Sequence, residues 1–105
     1  MTERLSSAQR KRLRGVAHGL EPLVSVGGKG LTDALLAEVR AALQAHELIK
    51  VRFLEFKARE QKRDATARIA RATDSHLVGL IGHVAIFYRA HPQPARRRID
   101  PGPGA

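Results

Sequence analysis

Three glycines and a lysine stand together at Gly27-Gly28-Lys29-Gly30, after an apolar run and just before a helical pattern. Glycines let backbone approach a ligand with no Cβ in the way. A following helix turns free N–H groups, and the positive end of its dipole, toward that ligand. Lys29 adds a mobile cation, and Thr32 is placed to cap the helix. Phosphate is the natural guest of such a loop. A second reading stays open, because glycines also build tight strand-to-helix turns. Two nucleotide chemistries are excluded by spacing. No Gly-Lys-Ser/Thr follows as a Walker loop requires, and no G-x-G-x-x-G fingerprint is present.

Other cations could extend a phosphate track. Arg10, Lys11 and Arg14 share a sector of the first helix with no acid on that face, a costly arrangement unless a polyanion pairs with it. Lys50 and Arg52 alternate with apolar residues on a strand, where cations also serve to block edge aggregation. Arg96, Arg97 and Arg98 form a run near the C-terminus. The five histidines (His18, His46, His76, His83 and His91) are scattered and none are spaced i, i+4, so no metal site is expected. His46 lies near a core stripe and reads as a packed helix-end residue. Ser6, Ser7, Ser25 and Ser75 belong to no nucleophile constellation, and no paired carboxylates share a site. No catalysis, cofactor or small-molecule substrate is expected.

The whole chain agrees with a polyanionic partner. Its 105 residues make one domain, with 19 Lys+Arg against 10 Asp+Glu and a formal charge of +9. The absence of cysteine rules out disulfides, thiol catalysis and zinc–thiolate sites. No apolar stretch is long enough to span a bilayer, and the first residues lack the apolar core of a secretory signal, so a cytoplasmic location is expected.

The elements that must position the loop follow from periodicity. A first helix starts at Ser6 or Ser7, with Leu13, Val16, Ala17 and Leu20 as its buried stripe. A short strand spans Leu23 to Val26. After the loop, a second helix turns Leu35, Leu36, Val39, Ala42, Leu43 and His46 to one side. Leu48 to Leu54 is a strand with Ile49, Val51 and Phe53 facing one way and Lys50 and Arg52 the other. Arg59 to Thr73 is a third helix whose core stripe is Ala58, Ala65, Ile69 and Ala72. Arg59, Lys62 and Arg63 lie on one flank, and Lys57, Arg68 and Arg71 on another. Asp74, tolerant of left-handed backbone, ends it. His76 to Ile81 and Val84 to Arg89 form a hairpin around Gly82-His83, a type II′ pattern. Residues 1–91 form the domain. Residues 92–105 hold all but one of the five prolines and are expected to be a disordered basic tail. The fold class is α/β: a single αβαβαββ domain with a four-stranded mixed sheet under helical cover.

At this point the chain resembles the CRM domain (chloroplast RNA splicing and ribosome maturation) in its compact bacterial, YhbY-like form. LSSAQRKRLRGVAHGLEPLVSVGGKGLT matches the basic first helix, strand and GxxG loop. ALQAHELIKVRF matches a helix end and strand, and IARATDSHLVGLIGHVAIFYR matches the third helix and closing hairpin. The joint occurrence of these segments, over roughly residues 5 to 90, is specific. Departures are Thr73-Asp74 where the family often has Thr-Gly, the additional Gly28, and the basic tail. The resemblance implies a fold like the C-terminal domain of bacterial translation initiation factor three, RNA binding, and association with precursors of the large ribosomal subunit.

The expected site is therefore Gly27, Gly28, Lys29, Gly30 and Thr32, with Arg10, Lys11, Arg14, Lys50, Arg52 and Arg96 to Arg98. The expected partner is ribosomal RNA or a pre-large-subunit particle, met by a monomer. The alternative is a protein-interaction module docking on a ribosomal protein or other acidic partner. The only aromatics are Phe53, Phe56, Phe87 and Tyr88, mostly expected in the core. Binding should then be led by backbone and shape rather than by base stacking.

Overall fold

The first helix, α1 (Ser7–Ala17), starts where its side chains supply a cap. Ser6 Oγ accepts the Gln9 N–H at 3.1 Å and Gln9 Oε1 accepts the Ser6 N–H at 2.9 Å, a reciprocal capping box. The computed structural model describes residues 4–55 and 58–103. The expectations for Phe56 and Lys57 lie outside the described residues. After α1 come β1 (Val24–Val26), α2 (Asp33–His46), β2 (Leu48–Phe53), α3 (Arg59–Thr73), β3 (His76–Ile81), β4 (Val84–Tyr88) and a short 3-10 turn at Pro94–Arg96.

The strands form one mixed sheet in the order β1-β2-β4-β3. β1 runs parallel to β2, as a strand–helix–strand unit demands, while β2–β4 and β4–β3 are antiparallel. Gly82 sits at φ +60° in the hairpin turn, as expected of a glycine in first position. Alternation along β2 divides the sheet into two faces. Ile49, Val51 and Phe53 join Val24, Val26, Ala85 and Phe87 under α2 and α3. On the other face Leu48, Val78, Ile86 and Tyr88 meet α1 through Leu13 and Ala17.

Two expected stripes are corrected. Val16 and Leu20 stay 43% and 39% exposed, because one short helix covers only part of its sheet face. On α3 the buried residues are Lys62, Ala65, Thr66, Ile69 and Thr73, while Ala58 and Ala72 are exposed. The polar members of that stripe are satisfied within the fold. Lys62 buries its stem and donates from Nζ to the Gly82 carbonyl at 2.9 Å, so it holds the hairpin turn rather than joining a solvated basic flank. Thr73 Oγ1 donates to the Ile69 carbonyl at 2.7 Å. Asp74 caps α3 at φ 51°, in the left-handed conformation expected of it.

The C-terminal segment, expected to be disordered from residue 92, follows a defined course through residue 103. Its anchor is Glu47, the C-cap of α2, 3% exposed and held at φ 65°. One carboxylate oxygen accepts the His91 N–H at 3.0 Å, and the other accepts the N–H groups of Arg98 and Ile99. Ile99 then packs against the second core. Farther on, Arg12 donates to the Asp100 carbonyl and Gln9 to that of Gly102. The segment is a strap tied across the end of α2 and the side of α1.

Candidate nucleic-acid interface

The glycine loop is built by a turn and a cap. The Gly30 N–H donates to the Gly27 carbonyl at 3.0 Å, which puts Gly28 and Lys29 at the corners. Gly30 has φ +71°, a conformation that side chains oppose. Thr32 Oγ1 accepts the Leu35 N–H at 3.1 Å and starts α2. A Cβ placed on Gly27 would meet nothing within 4 Å, and one on Gly28 only the Glu55 side chain at 3.8 Å. The turn therefore requires a glycine at position 30, whereas nothing in the fold requires one at 27. An open depression of about 520 Å³ lies here, lined by Ser25, Gly27, Lys29, Thr32 and Ala34, with Glu38 as its acid.

Arg14 of α1 and Lys50 and Arg52 of β2 lie on the neighbouring sheet face. Ser25 lines the loop depression and is the register partner of Arg52. Arg52 and Lys50 in turn share a cleft with Arg14. Among the described residues, the side chains of Arg10, Lys11, Arg14, Lys29 and Arg52 make no ion pair or hydrogen bond, leaving their charges available. Lys50 reaches the His18 carbonyl at 3.5 Å, at the C-terminal end of α1.

Arg96 and Arg98 go elsewhere. They line a separate depression of about 750 Å³ with Gln44, His46 and His91. It sits at the C-terminal end of α2, roughly 21 Å along the helix from the loop at 1.5 Å per residue. Arg97 is turned to the His91 carbonyl, donating from Nε at 2.8 Å. The tail arginines and the loop thus occupy opposite poles. His46 is exposed at the second pole rather than packed.

Sequence reasoning missed two positioning residues, Glu47 and Gly79, and grouped His18 with the basic face of α1 without its link to Lys50. Glu47 carried no periodic signal. Gly79 did have a signal, since an interior strand glycine marks a bulge or a close approach. Here it lies where the β3–β4 register shifts, and a Cβ on it would come within 3.1 Å of Arg14 Cδ.

One titratable group on this surface is displaced. Burial, and then the charge of Arg10, hold the His76 imidazole below its ordinary value, with Asp74 opposing. The folded protein thus favours the neutral ring, and the unfolded chain takes up the proton first, near about pH 6.5. The stability this contributes is present above that pH and lost as pH falls through the lower folded value. His76→Gln should flatten the fall in Tm between about pH 7 and pH 5, followed by thermal denaturation.

A three-helix, four-stranded mixed-sheet domain carrying a GxxG loop and a basic first helix defines a class of α/β nucleic-acid-binding modules. The family model described as CRS1 / YhbY (CRM) domain matches residues 5–89, and the chain belongs to that family. It is 45% identical over 85 residues to an RNA-binding protein of Haemophilus influenzae, covering 81% of this chain and 85% of that one. It is 38% identical over 90 residues to a probable RNA-binding protein of Pseudomonas aeruginosa, covering 86% of each. The solution structure of the Staphylococcus aureus protein SAV1595 superposes with a TM-score of 0.78 at 27% identity, covering 92% of this chain and all of that one.

Proposed function

We propose that this protein is a non-catalytic RNA-binding factor that acts as a monomer on ribosomal RNA in large-subunit precursors, in the cytoplasm. The observation that carries the reading is a set of cations without an ion pair or hydrogen bond among the described residues, Lys29 on a loop whose Gly27 the fold itself does not need, and Arg14 and Arg52 in a cleft joined to it through the Ser25–Arg52 pair. The loop amides and Lys29 hold phosphates, and the α1 and β2 cations continue the track. Relatives named as RNA-binding proteins support the partner class. The low stock of aromatics supports contact led by the RNA backbone.

The test is binding to structured ribosomal RNA fragments across a salt series. Each phosphate neutralised contributes about −0.7 to −0.9 to the slope of log affinity against log salt, so several engaged cations give a steep fall. A flat response would refute RNA binding by this surface. For the assembly role, the protein should co-sediment with large-subunit precursors in extracts and leave them after RNA digestion. Association that survives digestion would favour a protein partner instead.

A further inference from the structure

The sheet face that carries α1 is only partly covered. Past Ala17 the chain turns away through Gly19 and Pro22 to reach β1, and a cleft of about 380 Å³ opens between α1 and the strands. Its floor is aliphatic: Val84 and Ile86 from β4, and Ile81 from the end of β3. Its rim is cationic, with Arg14, Lys50 and Arg52 beside His18, against a single acid, Glu21. Ile81 is left 63% exposed and Leu20, in the same cleft, 39%, so the apolar surface here is a patch rimmed by charge rather than one isolated side chain.

The rim is positioned by the fold. The absence of a side chain on Gly79 lets the Arg14 stem lie flat on the sheet, since a Cβ there would be 3.1 Å from Arg14 Cδ. Lys50 is drawn to the His18 carbonyl at the end of α1. An apolar floor under guanidinium groups suits a flat ring, because Arg planes stack on bases as aromatic side chains do. Cations on both sides suit the phosphates that flank such a ring. A fully paired A-form helix cannot offer this, since its bases are stacked inside.

We infer that this cleft takes one unpaired nucleotide of a bulge, loop or single-stranded junction, its base seated on Ile81, Val84 and Ile86 and its phosphates held by Lys50 and Arg52. The inference rests on the RNA-binding reading and adds to it. The loop contacts backbone of any RNA, while the cleft selects places where a base is free. The Arg14 plane and an aliphatic floor supply the stacking that the few, mostly buried aromatics do not.

The experiment compares two RNA hairpins that differ only in one bulged 2-aminopurine, together with a labelled Glu/Leu-rich peptide. The intact protein should prefer the bulged hairpin by about tenfold, the effect expected of one stacked base, and should change the 2-aminopurine fluorescence. Ile81→Asn, which brings no charge among Arg14, Lys50 and Arg52, should abolish that preference and leave affinity for the paired hairpin within about twofold, a loss confined to one base contact. Ile81→Ser, milder at an exposed site, should reduce the preference in the same direction with an unchanged Tm. Lys29→Glu should weaken both hairpins alike. The inference is overturned if the two hairpins bind equally, if the Ile81 variants weaken both to the same extent, or if only the peptide binds in an Ile81-dependent way. If neither hairpin binds the intact protein, the RNA-binding reading itself fails.

Discussion

Glu47→Ala should lower the unfolding free energy by about 3 kcal/mol and release the C-terminal strap. The Glu47 carboxylate accepts three backbone N–H groups, from His91, Arg98 and Ile99, while almost fully buried. Hydrogen bonds to a charged group contribute roughly 1.5–3 kcal/mol each, but strap amides that detach regain water, which brings the net loss below the sum of the three, to about 3 kcal/mol. A domain of this size loses roughly 4–8 °C of Tm per kcal/mol, so the expected fall is roughly 12–24 °C. Hydrogen exchange should quicken at Arg98 and Ile99. Glu47→Gln separates charge and acceptor count from volume. Both carboxylate oxygens accept, so whichever side the amide nitrogen takes, it meets an N–H donor. Glutamine should therefore behave much like alanine, and a wild-type Tm in that variant would refute the role given to the carboxylate. The single tyrosine gives a second readout. Burial and then Glu47 hold the Tyr88 phenol above its ordinary value, so removing the carboxylate should bring its titration partway down.

The strap also marks where sequence reading stops. Prolines, glycines and a triple arginine near the terminus have the composition of a free tail, and nothing local says that a glutamate 44 residues before His91 will accept its N–H. That contact exists only once α2 ends at Glu47 and the sheet brings β4 beside it, through the Arg89 N–H donated to the Glu47 carbonyl. The same holds on α3. Helical spacing pointed to Ala58, Ala65, Ile69 and Ala72, of which Ala65 and Ile69 are buried, but the packed side turns from the other two alanines to Lys62, Thr66 and Thr73, which each bond a carbonyl. What could be read locally was read well. The β2 alternation, the limits of α3 and the left-handed Asp74 all rest on interactions within a few residues. The parallel β1–β2 pair followed from one strand–helix–strand unit. For the site, residue types and their grouping on α1, β2 and the loop were legible. Distance was not: Arg96 and Arg98 extend the charge in sequence, yet in space they stand at the far end of α2 from Lys29. Any RNA that engages both must run along that helix or around it.

The loop itself can be divided between fold and ligand by substituting two of its glycines. Gly30→Val should cost about 1–3 kcal/mol of stability, because a β-branched residue is forced to φ near +71°. Gly27→Val should leave Tm unchanged or slightly raised, since the added Cβ meets nothing within 4 Å and the unfolded chain loses freedom. The same Gly27 variant should lose RNA affinity by roughly tenfold to a hundredfold. A Cβ and two methyl groups would stand where a phosphate must approach the loop amides, and a charge-assisted hydrogen bond contributes roughly 1.5–3 kcal/mol. Titration of a ribosomal RNA fragment beside a thermal melt measures both quantities on one preparation. A turn with no ligand predicts the opposite pairing: Gly30→Val unstable, and Gly27→Val indistinguishable from wild type in both assays. The two readings left open by the glycines therefore diverge at one position, Gly27, whose freedom from any neighbour makes stability and binding separable there.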